Sequence, residues 1–156
     1  MNSLKTFVDT QKVRTSKVQI SLVQYSSTIR WEFPYLSDQN LMKERISQAE
    51  YLGQGTLTGK ALDFITFEVI PRSRTDVANV VIIFTDGQSY DSVVAPANDL
   101  QNVAKVFAIG IGSAVKWDQL RKITNNDEDS VFMTSYNQLN SIMRKISQTI
   151  CKDGTI

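Results

Sequence analysis

Residues 79–90, NVVIIFTDGQSY, constrain the fold more than any other stretch of the chain. From Val80 to Thr85 every residue is apolar or β-branched, and the run leads directly into Asp86-Gly87. An unbroken apolar run of this length suits a strand buried on both faces of a parallel sheet. Gly87 allows the turn that follows, because glycine tolerates positive φ. One carboxylate is thereby placed at the carboxyl end of a central strand. In open α/β sheets that edge is where ligands bind.

The segments after this strand alternate in kind. Residues 91–103 read as a helix, with Pro96 near the first turn where a missing N–H costs little. KVFAIGI at 105–111 is a second buried strand, Trp117, Leu120 and Ile123 mark a short helix, and SVFMT at 130–134 is a last short strand. Leu139, Ile142, Met143, Ile146 and Ile150 share one face of a helix over 137–150. Alternation of this kind implies a parallel sheet with helices on both faces.

Before the central strand, Leu4, Phe7 and Val8 predict a helix over 3–13. Residues 18–25 alternate apolar with polar, Ser26-Ser27 turns the chain, and 28–33 alternate again, which predicts a hairpin. Pro34 fits the end of an edge strand. Ser37 or Asp38 caps a second helix carrying Leu41, Met42, Ile46 and Ala49. A third helix carries Ala61, Leu62, Ile65 and Val69 and stops at Pro71. With no repeat, low-complexity segment or linker, the expectation is one domain over 3–151 and a polar tail, 152–156. The expected fold class is α/β: a doubly wound, mostly parallel sheet with one antiparallel edge strand and helices on both faces.

Composition narrows the chemistry. A formal net charge of +1 gives no strong field for nucleic acid or an anionic membrane. No apolar run approaches the roughly 18 residues of a membrane span, and the opening residues lack the apolar region of a signal peptide. There is no histidine, hence neither the commonest general base nor the commonest zinc ligand. Two features remain: Asp86 at a strand end, and Thr56 and Thr58 in the glycine-flanked GTLTG that opens a helix. Hydroxyl and carboxylate oxygens suit a hard cation such as Mg²⁺. Each feature has a plainer reading as well, Thr-Asp-Gly as turn chemistry and GTLTG as a capped helix start. Gly110 and Gly112 do not complete a dinucleotide fingerprint, since Val115 occupies the third glycine position. NNDED at 125–129 lacks the alternating ligands and the glycine of a calcium loop.

Taken in order, VQISLVQYSS, GTLTGKAL, VVIIFTDGQSYD, VAPANDLQNVAKVFAIGIG and a closing helix ending in Cys151 resemble a von Willebrand factor type A domain. The resemblance is to the extracellular-matrix kind found in collagens and matrilins, and it covers nearly all of 3–151. It implies a metal-ion-dependent adhesion site at the carboxyl edge of the sheet. The family pattern there is Asp-x-Ser-x-Ser after the first strand, a threonine in the second loop and an aspartate in the third. Thr56 matches the threonine and Asp86 the last aspartate. The resemblance further implies adhesion rather than catalysis. A partner carboxylate would take the metal's open position, the partner would be a matrix protein such as collagen, and the protein would be secreted.

One departure is large. Asp-x-Ser-x-Ser occurs nowhere in the chain, nor does the apolar strand that should carry it, and SLKTFVDTQ fits the family's first helix. An N-terminally truncated domain is expected, lacking an interior strand of the family order 3-2-1-4-5-6. Its loss leaves the 18–25 edge facing the 80–85 edge across a gap. Either the edges close up, another chain's strand fills the slot, or the sequence is an incomplete gene model. Thr56 and Asp86 alone supply too few oxygens for Mg²⁺, so binding is expected to be weak or absent. A metal-independent interaction module is the alternative. In many matrix members a cysteine after the last helix pairs with one before the first strand. The resemblance therefore implies a partner for Cys151 in the missing segment, and a lone thiol is the other reading.

Overall fold

The computed structural model describes residues 2–10 and 18–152. Its centre is a parallel sheet of β3 (Val80–Thr85), β4 (Lys105–Ile111) and β5 (Val131–Thr134), in the order β3-β4-β5. Val80 lies opposite Lys105, Thr85 opposite Gly110, and Ala108 opposite Val131. Every residue of β4 from Val106 to Ile111 is buried. Val106 and Ala108 face one core, and Phe107, Ile109 and Ile111 face another. Two covered faces explain why the strand reads as an unbroken apolar run rather than an alternation.

On the first face lie α3 (Thr58–Phe64), α4 (Val94–Gln101) and α5 (Trp117–Ile123), which contribute Leu62, Ala97, Leu100, Leu120 and Ile123. The second face is closed by α6 (Leu139–Lys152) through Leu139, Met143, Ile146 and Ile150. That spacing keeps one stripe of the helix on the sheet. Burying each leucine or isoleucine is worth about 1.5–3 kcal/mol.

The hairpin pairs β1 (Ile20–Tyr25) with β2 (Ile29–Leu36) antiparallel, Tyr25 opposite Ile29 and Val23 opposite Trp31. Pro34 is exposed on this edge strand, which continues through it to Leu36. The Trp31 indole donates to Ser21 Oγ at 2.7 Å and meets Phe64 edge-on at 6.1 Å. A third core joins α1 (Asn2–Thr10) and α2 (Gln39–Gln48) to the hairpin through Val8, Phe33, Met42 and Ile46. Asp38 is the α2 cap, accepting from Asn40 N at 2.8 Å and Leu41 N at 3.0 Å.

The two sheets do not join. Among the described residues β1 pairs only with β2, and β3 pairs only with β4, so the facing edges stay open rather than closing up. The Tyr25 hydroxyl bridges the seam, donating to Phe84 O at 2.9 Å. Helix α1 straddles the seam on one side, with Phe7 against the core of α6 and Leu4 and Val8 against that of the hairpin. On the other side Tyr25 and Ile65 pack with Leu62 of α3.

Some boundaries differ from expectation. Helix α4 begins at Val94 instead of 91, because the preceding residues are engaged by α3, as described below. The third helix does not stop cleanly at Pro71. It widens into a π turn (Ile65–Val69), where the Thr66 hydroxyl bonds back to Leu62 O at 2.9 Å, and then tightens into a 3-10 turn (Ile70–Arg72). The expected helical residues 11–13, the Cys151 side chain and the tail from 153 lie outside the described residues.

Candidate functional site

Three loops converge at the carboxyl edge of β3. The first is the turn after β1, where Ser27 N and Oγ donate to Gln54 O at 2.9 and 3.0 Å. The second is the loop before α3, in which Gly53, Gln54 and Gly55 all have positive φ (54°, 58° and 72°). Glycine is needed at 55 for space as well: a Cβ there would lie 2.2 Å from Ser27 Oγ. Leu57 N donates to Ser26 O at 2.9 Å, tying the two loops together. The third is the turn after β3. Buried Thr85 donates from Oγ1 to Gly87 O at 2.9 Å, and the turn carries Asp86 outward into solvent. Asp86 makes no hydrogen bond or ion pair with the described residues.

Thr56 and Asp86 come together on this rim. A Cβ built on Gly87 would be 3.6 Å from Thr56 Oγ1, and both Thr56 and Asp86 line one open cleft of about 230 Å³. Among the described residues Tyr25, Tyr51 and Tyr136 also line it, and no lysine or arginine does. Tyr51 is 89% and Tyr136 68% exposed. Burial pushes the Tyr25 hydroxyl above its ordinary pKa, so it remains a donor to Phe84 O.

Thr58, the other hydroxyl singled out in the sequence, does not reach the cleft. It is buried, and its amide donates to Ser89 Oγ at 2.9 Å. The residue at the α3 cap position is Leu57, whose side chain cannot accept a hydrogen bond. Caps come instead from the β3–α4 loop. Asp91 accepts from Gly59 N at 2.9 Å and Lys60 N at 2.8 Å, and the Ser89 hydroxyl hydrogen-bonds Thr56 O and Asp91. Tyr90 N donates to Thr56 O at 2.9 Å. Ser89 and Asp91 therefore fix Thr56 and the helix behind it, a role that sequence reasoning did not assign. Its signal is an apolar residue where a cap belongs, opposite a loop rich in oxygen. Burial raises the Asp91 carboxyl, but bonds from Ser89, Gly59 and Lys60 outweigh it and hold the group below the usual carboxylate range.

As cation ligands the rim is sparse. Among the described residues no group of three or more His, Cys, Asp or Glu side chains could hold a metal. Mg²⁺ asks for about six oxygens in octahedral array, and Thr56 with Asp86 falls well short.

The family model for the von Willebrand factor type A domain matches residues 1–145. The chain belongs to this family. Among curated relatives it is 34% identical over 152 residues to matrilin-1 of Homo sapiens, covering 92% of the chain and 30% of the relative. It is 36% identical over 157 residues to the collagen alpha-5(VI) chain of Mus musculus, covering 96% of the chain and 6% of the relative. The chain thus spans under a third of the curated relatives it matches. Among solved structures, proximal thread matrix protein 1 of the mussel byssus superposes with a TM-score of 0.85 at 28% identity, covering 96% of this chain and 39% of that one. That mussel structure is described as having a zinc-occupied MIDAS motif. The split sheet is accordingly a von Willebrand factor type A fold of α/β class, shared with matrix proteins. Among the described residues no helix is long and apolar enough to cross a membrane.

Proposed function

We propose that this chain is an extracellular-matrix adhesion module that docks a partner protein, such as collagen, at the cleft on the carboxyl edge of β3. The observation that carries the reading is the meeting on one rim of Thr56 and Asp86, the latter without a partner among the described residues, in a chain whose relatives are matrix proteins. Exposed Tyr51 and Tyr136 flank the rim. Tyrosine rings supply rigid, amphipathic contact area at low entropic cost. The zinc-occupied site of the mussel protein supports a divalent ion at this edge in the complete form of the module, with Thr56 and Asp86 among its ligands. Two ligands hold Mg²⁺ weakly, so docking to the chain as it stands is carried by its own surface.

Surface plasmon resonance over immobilised collagen and other matrix proteins, in Mg²⁺ and then in EDTA, tests this. Binding should change less than about twofold with EDTA. Tyr136→Ala should weaken it about tenfold, the loss of one aromatic contact of roughly 1.4 kcal/mol. No binding to any matrix protein, or binding indifferent to both Tyr51→Ala and Tyr136→Ala, removes the reading. Abolition by EDTA would show instead that the ion carries the contact.

A further inference from the structure

We infer that Asp86-Gly87, in the turn after β3, is a site of spontaneous isoaspartate formation, in which the chain's own next amide attacks the carboxyl. Two Asp-Gly pairs occur in the chain, and the other, Asp153-Gly154, lies outside the described residues. Glycine lacks a Cβ, so its amide nitrogen is unshielded and its backbone turns freely. Asp86 is exposed and has no hydrogen bond or ion pair among the described residues, which leaves its carboxyl free to swing. The Gly87 amide is loosely held as well. It donates to Thr85 Oγ1 at 3.4 Å, longer than an ordinary N–H···O bond. There is room for a ring, since a Cβ built on Gly87 meets Thr56 Oγ1 at 3.6 Å and nothing closer among the described residues. Asp91-Ser92, further along the same loop, has the opposite character. Its carboxylate is held by Ser89 Oγ and by the Gly59 and Lys60 amides, so it cannot turn toward its own neighbour.

The bonds balance with no oxidant and no co-reactant other than water. Gly87 N forms a bond to Asp86 Cγ as the Cγ–OH bond breaks, and the amide proton leaves with that hydroxyl as water. The product is a cyclic imide. Water then adds to one of its carbonyls. Opening at Cγ restores aspartate. Opening at the backbone carbonyl carbon of Asp86 breaks its bond to Gly87 N, so the chain continues through Cβ and Cγ and a free carboxylate remains on Cα. Elemental composition is unchanged, but the main chain gains one methylene and the acid group moves one carbon closer to the backbone. On the docking role proposed for this rim, on which this consequence rests, the change removes Asp86 as the companion of Thr56. The module then loses its site with age while the core beneath is untouched.

The test is to hold the chain in warm, neutral buffer with EDTA, both native and unfolded in urea, and to sample it over weeks. Trypsin releases residues 75–105, which contain Asp86 and Asp91, apart from the last four residues, which contain Asp153. Enzymatic methylation selective for isoaspartate, with fragment-ion sequencing, locates the product. Conversion at Asp86 in the native chain should run within about tenfold of its rate in urea, whereas folding should slow Asp91 by more than about tenfold. Gly87→Ala, whose added Cβ makes an ordinary contact with Thr56, should slow conversion at Asp86 about tenfold. Slowing beyond that bound at Asp86, the same protection at Asp86 and Asp91, or a rate indifferent to Gly87→Ala overturns the inference. The readout is chemical and does not depend on whether the rim docks a partner, so failure of either reading leaves the other in place.

Discussion

Replacing Asp91 by alanine strips acceptors from the Gly59 and Lys60 amides at the start of α3. The expected loss is about 1–2 kcal/mol in urea unfolding, the usual cost of a deleted cap. The pH dependence follows from the depressed carboxyl. Its folded pKa lies below the unfolded value of about 3.9, so its stabilisation is complete above that value and disappears as pH falls through the folded one. The stability gap between wild type and Asp91→Ala should therefore be constant near neutrality and shrink in acid. Asp86→Ala should behave differently. The side chain is exposed and without a partner among the described residues, so unfolding should move by less than about 0.5 kcal/mol. Thr56 and Asp86 were paired by the family resemblance, and the structure brings them to one rim. The part played by Ser89 and Asp91 was not legible. The amides they satisfy lie 31 or 32 residues earlier in the chain, beyond any local pattern.

Among the elements, β3, β4 and α6 were plain in the sequence, since burial on two faces or on one stripe writes itself into residue order. The late start of α4 and the π turn after α3 were not. The first reflects the capping duty of the β3–α4 loop, and the second keeps Ala61, Leu62, Ile65 and Val69 at helical spacing while the backbone widens. Close approach of that loop to α3 makes Gly59 critical: a Cβ there would lie 2.1 Å from Ser92 O, a backbone atom that cannot swing away. Gly59→Ala should cost about 1–3 kcal/mol, read as a lowered thermal midpoint. Tyr25→Phe keeps the ring but removes the bond across the seam. Its expected cost is about 1 kcal/mol, with faster amide exchange along β3.

For the whole molecule, the sequence left open whether the 18–25 and 80–85 edges would close up, and among the described residues they stay apart. The edges stay apart because α1 and α3 each pack on both sides of the seam and hold the halves at a set separation. A weak ion site has a thermal signature too. If Mg²⁺ binds no tighter than about 10 mM, adding 10 mM stabilises by roughly 0.4 kcal/mol, a shift of under about 2 °C for a chain of this size. A rise of several degrees would reveal ligands beyond Thr56 and Asp86.

The chain's two tryptophans fall on opposite sides of the seam, Trp31 in the hairpin and Trp117 at the start of α5. Trp117 reports on the parallel-sheet half, and Trp31 on the hairpin together with its contact to Phe64 of α3. With Trp117→Phe and Trp31→Phe as single-emitter variants, fluorescence can follow these two environments through denaturation. Curves that superimpose would mean that two roofing helices and one phenol are enough to make a divided sheet melt as a single unit.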